Sequence, residues 1–264
     1  YQMIWRNESP LIEITKAQAA ELQTQVREHI HPQISVEVGM RYGNPSLKTG
    51  LLNLRKAGVH RVLVVPLYPQ FSVSTVATVF DKISELFRSC WHIPALRYTP
   101  AYFAHSAYIS ALADSVRHHW QTQGRAEHLI ISFHGLPTRY SRRGDPYEAQ
   151  CRITAQLIAK ELQLTEGEWS LAFQSRFGKD EWLQPYLEPL VRGKASIGLK
   201  SLDVICPGFS ADCLETLEEI SVRTKEVFLE AGGQKLNYIP ALNHQTNHIA
   251  MMLSLVQNES KGWV

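Results

Sequence analysis

The run Leu129-Ile-Ile-Ser-Phe133 constrains this chain more than any other segment, because it offers apolar side chains to both faces of a strand. A strand buried on both sides belongs to a parallel sheet covered by helices above and below. The rest of the chain repeats that logic, with apolar runs of strand length alternating with helical patterns. Strands are expected at Val36–Met40, Val62–Pro66, Pro94–Tyr98, Leu129–Phe133, Trp169–Gln174 and Ser201–Cys206, with a short last one at Tyr238-Ile-Pro. Helices are expected at about Thr15–Glu28, Pro45–Ala57, Ser74–Ser89, Ser106–Gln121, Pro146–Leu162, Glu181–Arg192, Asp212–Leu229 and His248–Gln257. The pattern restarts after Gly124, which predicts two similar α/β halves with a ligand cleft at the carboxyl edges of their sheets.

Composition narrows the function. With 264 residues, 44% of them hydrophobic, the chain can bury one large or two medium cores. A formal charge of +2 argues against a nucleic-acid surface or a polybasic membrane patch. Cys90, Cys151, Cys206 and Cys213 have no C-x-x-C spacing, which fits reduced thiols better than a disulfide frame or a structural zinc site. No apolar run approaches the roughly 18 residues of a membrane span, and the polar start is unlike a signal peptide. A cytoplasmic protein is expected, with peripheral association to the inner membrane left open.

Chemistry is carried by groups placed just past predicted strands. His134 follows the strand at 129–133, and Asp212, Glu215 and Glu219 follow the strand at 201–206. A neutral imidazole with a pKa of about 6.5 accepts protons at neutral pH without strong perturbation. The three carboxylates stand at i, i+3 and i+7, so on one helix they share a face that could relay a metal or protons. On the residues alone, His134 could instead cap a strand, and the carboxylates could form a solvated face with Asp212 as N-cap. Glu218 should be turned away and exposed.

Several segments together resemble the ferrochelatase family. They are Arg41-Tyr42, Leu67-Tyr-Pro-Gln-Phe-Ser72, His134-Gly-Leu-Pro137, Arg143-Gly-Asp-Pro-Tyr147, Phe173-Gln-Ser-Arg-Phe-Gly178 and Phe209-Ser-Ala-Asp-Cys-Leu-Glu-Thr-Leu217, in the family's order and spacing. The resemblance implies a chelatase-like α/β fold of two Rossmann-like lobes with parallel sheets, here residues 1–124 and 125–264. The last helix is expected to pack back on the first lobe. It also implies an enzyme, a lyase that inserts ferrous iron into protoporphyrin IX to form protohaem in the last step of haem biosynthesis. Fe(2+) and the porphyrin are then substrates, and a monomer or weak homodimer is expected.

By the same resemblance His134 and Glu215 are catalytic and meet the metal, and Asp212 and Glu219 continue a metal or proton path. Arg41, Tyr42, Tyr68, Ser72, Ser74, Trp182 and Phe209 become porphyrin-binding candidates, although Arg41 could equally pair with a nearby carboxylate and the aromatics could be core. Cys213 stands where the family often has His, as a further thiolate ligand or as a buried thiol packed as a small hydrophobe. Val73 replaces the cysteine that joins a [2Fe-2S] cluster in some relatives, so no such cluster is expected. The family's opening Asn-Leu-Gly-Thr-Pro-like strand and lip segment have no counterpart in this sequence, so the first lobe is expected to lack its central strand and to pack loosely. Two alternatives remain at this point: a chelatase for another tetrapyrrole of coproporphyrin or sirohydrochlorin type, and a non-catalytic porphyrin- or haem-binding module.

Overall fold

A computed structural model describes residues 8–88 and 90–264. Residues 1–7, the polar start, and Ser89, the expected end of one helix, lie outside the described residues.

Two parallel sheets carry the fold. β1 (Arg61–Val64) pairs with β2 (Ala95–Tyr98) in a two-stranded sheet. β3 (His128–His134), β4 (Trp169–Gln174), β5 (Ser201–Ile205) and β6 (Lys235–Ile239) form a four-stranded sheet in the order β4-β3-β5-β6. All of its pairings are parallel, so its strands end along one edge.

Alternation along β3 explains why that sheet is central. Leu129, Ile131 and Phe133 enter one apolar cluster with side chains of α4 (Ser106–Gln123), α6 (Tyr147–Glu161) and α10 (Thr246–Glu259), whereas Ile130 enters a second. The second cluster is closed by α7 (Leu187–Ser196) and by Ile220 and Phe228 of the broken helix described below. Each fully buried side chain of this size contributes roughly 1.5–3 kcal/mol relative to exposure. α4 precedes residue 124 but packs against α6 and α10, and α10 also packs against α1 (Pro10–His29).

The expected strand at Val36–Met40 does not form; Met40 makes only an isolated bridge with Ser46. The backbone there is satisfied differently. Val36 N–H donates to Gln23 Oε1 at 2.8 Å, and Gln23 Nε2 donates to the Ile34 carbonyl at 2.8 Å, so an α1 side chain meets the start of this segment, which has no partner strand among the described residues. α2 (Leu47–Lys56) then starts at the Ser46 cap, whose Oγ accepts from Thr49 N–H at 3.2 Å. α3 (Val76–Phe87) follows β1.

Two helices differ from expectation for local reasons. The one expected from Glu181 begins at Leu187, because 181–185 runs beside other extended segments: Thr138 N–H donates to Glu181 O, Leu183 N–H to Leu136 O, and Phe173 N–H to Pro185 O. The one expected across Asp212–Leu229 is broken into α8 (Leu214–Leu217), a π-helical turn at Glu219–Thr224 and α9 (Lys225–Glu230). A short helix absent from the sequence reading, α5 (Thr138–Arg142), follows β3. Among the described residues no helix is long and apolar enough to cross a membrane.

Candidate active site

A cavity of about 1360 Å³ runs along the length of β1 and the neighbouring face of α1 and reaches the carboxyl end of β3 and the segment after β5. Its wall includes Arg41, Tyr68 and Ser74 from the first half and His134, Trp182, Phe209 and Glu215 from the second. These sequence candidates, far apart in the chain, are therefore brought onto one surface.

His134 is the last residue of β3, and the turn behind it needs glycine. Gly135 N–H donates to the Gln174 carbonyl at 2.8 Å, and a Cβ on Gly135 would stand 2.9 Å from that oxygen and 3.1 Å from the Trp182 ring. His134 Nδ1 lies 2.7 Å from the Gly135 carbonyl. A carbonyl only accepts, so the neutral ring carries its proton on Nδ1 and a lone pair on Nε2. Tyr147 Oη donates to the His134 carbonyl at 3.0 Å, and burial holds this phenol protonated by pushing its pKa well up.

The carboxylate stripe does not survive as a single helical face. Asp212 precedes the helix; its backbone N–H goes to Asn243 Oδ1 at 2.8 Å. Its carboxylate accepts from Tyr238 Oη at 2.6 Å, Asn243 Nδ2 at 2.7 Å, Thr216 Oγ1 at 3.0 Å and Ala241 N–H at 3.2 Å. Four donors claim its oxygens, so Cys213 rather than Asp212 occupies the N-cap. Glu219, 9% exposed, opens the π-helical turn and accepts from Ser175 N–H at 2.7 Å and Ser175 Oγ at 2.6 Å. Ser175 sits in the left-handed region at φ 62°, a conformation this carboxylate clamps. Glu215 alone of the three lines the cavity. Glu218 is tied to Arg223 at 2.9 Å.

Cys213 is buried, and burial followed by the Glu215 charge drives its thiol pKa upward, which keeps it a neutral capping thiol rather than a thiolate. All four cysteines are free. Among the described residues no three His, Cys, Asp or Glu side chains form a metal cage.

The first-half candidates divide as well. Arg41 Nε donates to the Thr78 carbonyl at 2.9 Å, and its guanidinium lies 4.5 Å from the Tyr42 ring centroid. Among the described residues it makes no carboxylate ion pair, so the structure offers none of the internal pairings that were the alternative to a ligand. Tyr42 is 71% exposed and lies outside the cavity wall. Ser72 is fully buried, bonded to Ser74 Oγ at 2.8 Å and donating to Asp145 Oδ2 at 2.9 Å. Trp182 is buried, its indole N–H has no partner among the described residues, and its ring packs tilted against Phe177 with centroids 4.7 Å apart.

Asp145, Tyr147 and Gln174 belong to the Arg-Gly-Asp-Pro-Tyr and Phe-Gln-Ser-Arg segments, but nothing local in the sequence marks them as functional. Asp145 accepts from Ser72 Oγ, from Val73 N–H at 2.8 Å and from Tyr147 N–H at 3.0 Å, bridging the two halves.

Comparison with known proteins gives a consistent result. A family model described as Ferrochelatase matches residues 1–260. The chain is 51% identical over 265 residues to Ferrochelatase 1 of Shewanella oneidensis, covering 100% of this chain and 79% of that protein. It is 51% identical over 261 residues to Ferrochelatase of Aeromonas hydrophila subsp. hydrophila, covering 98% and 80%. With Ferrochelatase of Nitrosococcus oceani it shares 47% over 264 residues, 100% of this chain and 72% of the relative. Among solved structures, SirB from Bacillus subtilis with Fe3+ superposes with a TM-score of 0.66 at 14% identity, covering 96% of this chain and 93% of that one. CbiX, the terminal enzyme for biosynthesis of siroheme in denitrifying bacteria, gives 0.61 at 15%, covering 96% and 95%. At such identities these two speak to the fold alone, an α/β chelatase-like fold.

Proposed function

From the premise that this chain belongs to the ferrochelatase family, we infer that it inserts ferrous iron into protoporphyrin IX, forming protohaem in the last step of haem biosynthesis. The overall change replaces two pyrrole N–H protons by one Fe(2+), so the site must take up two protons and admit a partly dehydrated ion.

The observation that carries the residue assignment is the hydrogen bond from His134 Nδ1 to the Gly135 carbonyl, on the same cavity wall as Glu215. It leaves Nε2 as the base for a pyrrole proton. Glu215 supplies an oxygen ligand to the incoming ion and an acceptor for the second proton; its carboxylate suits a labile divalent metal. Asp212 and Glu219 act behind it, through the bonds that fix the loops around α8. Arg41, Ser74 and Tyr68 offer a guanidinium and hydroxyls for the propionates, while Trp182 and Phe209 offer flat apolar surface to the macrocycle. Ser72 serves by holding Ser74.

The test is His134→Ala. Removing a positioned base costs about 10²–10⁴ in rate, so Fe(II) insertion should fall by that factor while porphyrin binding and thermal unfolding stay near wild type. Turnover within threefold of wild type would overturn the assignment.

A further inference from the structure

Gln174, the last residue of β4, is 2% exposed and joins β3, the end of β5 and α8 through its side chain. Its Nε2 donates to the Glu215 carbonyl at 2.9 Å. Its Oε1 accepts from Ser132 Oγ at 2.9 Å and from Cys206 Sγ at 3.2 Å. Its backbone carbonyl takes the Gly135 N–H at 2.8 Å, and its residue pairs with His134 in the parallel register. Every one of these contacts has one workable polarity. The Glu215 carbonyl can only accept, so the amide nitrogen must face it; the hydroxyl and thiol then donate to the amide oxygen. Burial raises the Cys206 pKa well above its usual value, which keeps that thiol a donor.

We propose that Gln174 is the positioning residue of the reaction: it sets where Glu215 stands relative to His134, without touching substrate. The proposal rests on the reading of His134 and Glu215 given above and adds how the pair is held. α8 is a four-residue helix followed by a π-helical turn, so it has little internal hydrogen bonding to fix its own orientation. The amide of Gln174 ties the α8 backbone to the ends of β3, β4 and β5, the most deeply packed part of the molecule. A shift of about 1 Å in a reacting group costs on the order of 10²-fold in rate, so a bond of this kind is worth far more to turnover than to folding.

Three variants test it. Gln174→Glu keeps shape and the acceptor for Ser132 and Cys206 but, once ionised, has no donor for the Glu215 carbonyl, and it is assayed from about pH 6 to 9 because the protonated acid could still donate there; Gln174→Met loses both; Ser132→Ala removes one donor and leaves the Glu215 link. With Fe(II) and protoporphyrin under anaerobic conditions, kcat should fall about 10–100-fold in Gln174→Glu and Gln174→Met, with the KM for Fe(II) raised. The protoporphyrin Kd, followed by tryptophan fluorescence, should stay within threefold of wild type, and Ser132→Ala should stay within threefold in every parameter. If Gln174 acts through Glu215, Gln174→Glu should add less than twofold in a Glu215→Gln background. Wild-type kcat in Gln174→Glu, additive losses with Glu215→Gln, or parallel losses of kcat, porphyrin affinity and melting temperature would each overturn the proposal. A Gln174→Met chain that does not fold leaves the decision to Gln174→Glu and the cycle. Near-wild-type turnover of Glu215→Gln itself would instead remove the reading of Glu215 on which the proposal stands.

Discussion

His134 and Arg41 line the same cavity but are held there in different ways. His134 ends a strand paired on both sides, with its carbonyl bonded by Tyr147, its ring by Gly135 and its following peptide by Gln174. Arg41 follows a segment that makes a single β-bridge, beside a two-stranded sheet, and its side chain is fixed by one bond to Thr78. Among the described residues the second wall is fixed by many mutually supporting contacts, and the first is joined to it by the bridge through Asp145. The prediction with the largest expected effect tests the second wall. Glu215→Gln should lower kcat by about 10²-fold or more, while Glu218→Gln, tied to exposed Arg223, should leave it within threefold. Both preserve volume. Equal losses in iron-insertion assays would show that the second wall is not where the chemistry sits.

The second wall also has a built-in acid sensitivity. His248 of α10 is buried, donates from Nδ1 to the Asn243 carbonyl, and has its pKa lowered to about 4 by burial. The same Asn243 holds Asp212. In the unfolded chain His248 titrates near 6.5, so between about pH 6.5 and 4 the unfolded state binds the extra proton and stability falls with falling pH. The expected loss is about 3 kcal/mol, complete below pH 4. His248→Asn, which keeps a donor without a titrating ring, should flatten that part of the stability curve measured by urea unfolding. An unchanged slope would remove His248 as its source.

β3 was legible because its apolar run is buried on both faces, and Trp169–Gln174 is the strand the sequence predicts to the residue, whereas β6, with Lys235 and Asn237 in its run, is longer than the expected Tyr238-Ile-Pro. Val36–Met40 alternates apolar residues yet forms no strand, because a strand exists only with a partner and none lies beside it among the described residues. For the site, the strand end brings His134 to the cavity wall as the sequence suggests, whereas Glu215 is singled out from its stripe by the family resemblance alone. The spacing of Asp212, Glu215 and Glu219 misled, since a π-helical turn and the demands of Asn243, Tyr238 and Ser175 sent the three side chains to different places. Gln174 and Asp145 carry no local signal, because their partners lie tens of residues away.

Asp145 is where the two walls can be uncoupled. In Asp145→Asn one acceptor oxygen becomes an NH₂ that must face the donors of Ser72 and Val73 or that of Tyr147. Leaving such a buried donor unmatched costs about 1–3 kcal/mol. Stability should fall by that amount and kcat by about tenfold, with Ser74 and the His134 turn both disturbed. An unchanged melting temperature with normal turnover would mean that the two walls do not communicate through this carboxylate.

The smallest expected effect concerns Arg41, and it isolates the first wall. Lysine keeps the positive charge but replaces a planar fork by a single ammonium, so it loses the bidentate grip on a carboxylate and the stacking on Tyr42. Nothing at His134 or Glu215 depends on Arg41, whose side chain bonds only to the Thr78 carbonyl among the described residues. Arg41→Lys should therefore raise the KM for protoporphyrin by about three- to tenfold, the value of roughly 1 kcal/mol for a partly exposed ion pair, and leave kcat within twofold. The split matters more than its size. A fall in kcat without a change in KM would place Arg41 with the reacting groups, and would mean that the line between the reacting wall and the binding wall has been drawn in the wrong place.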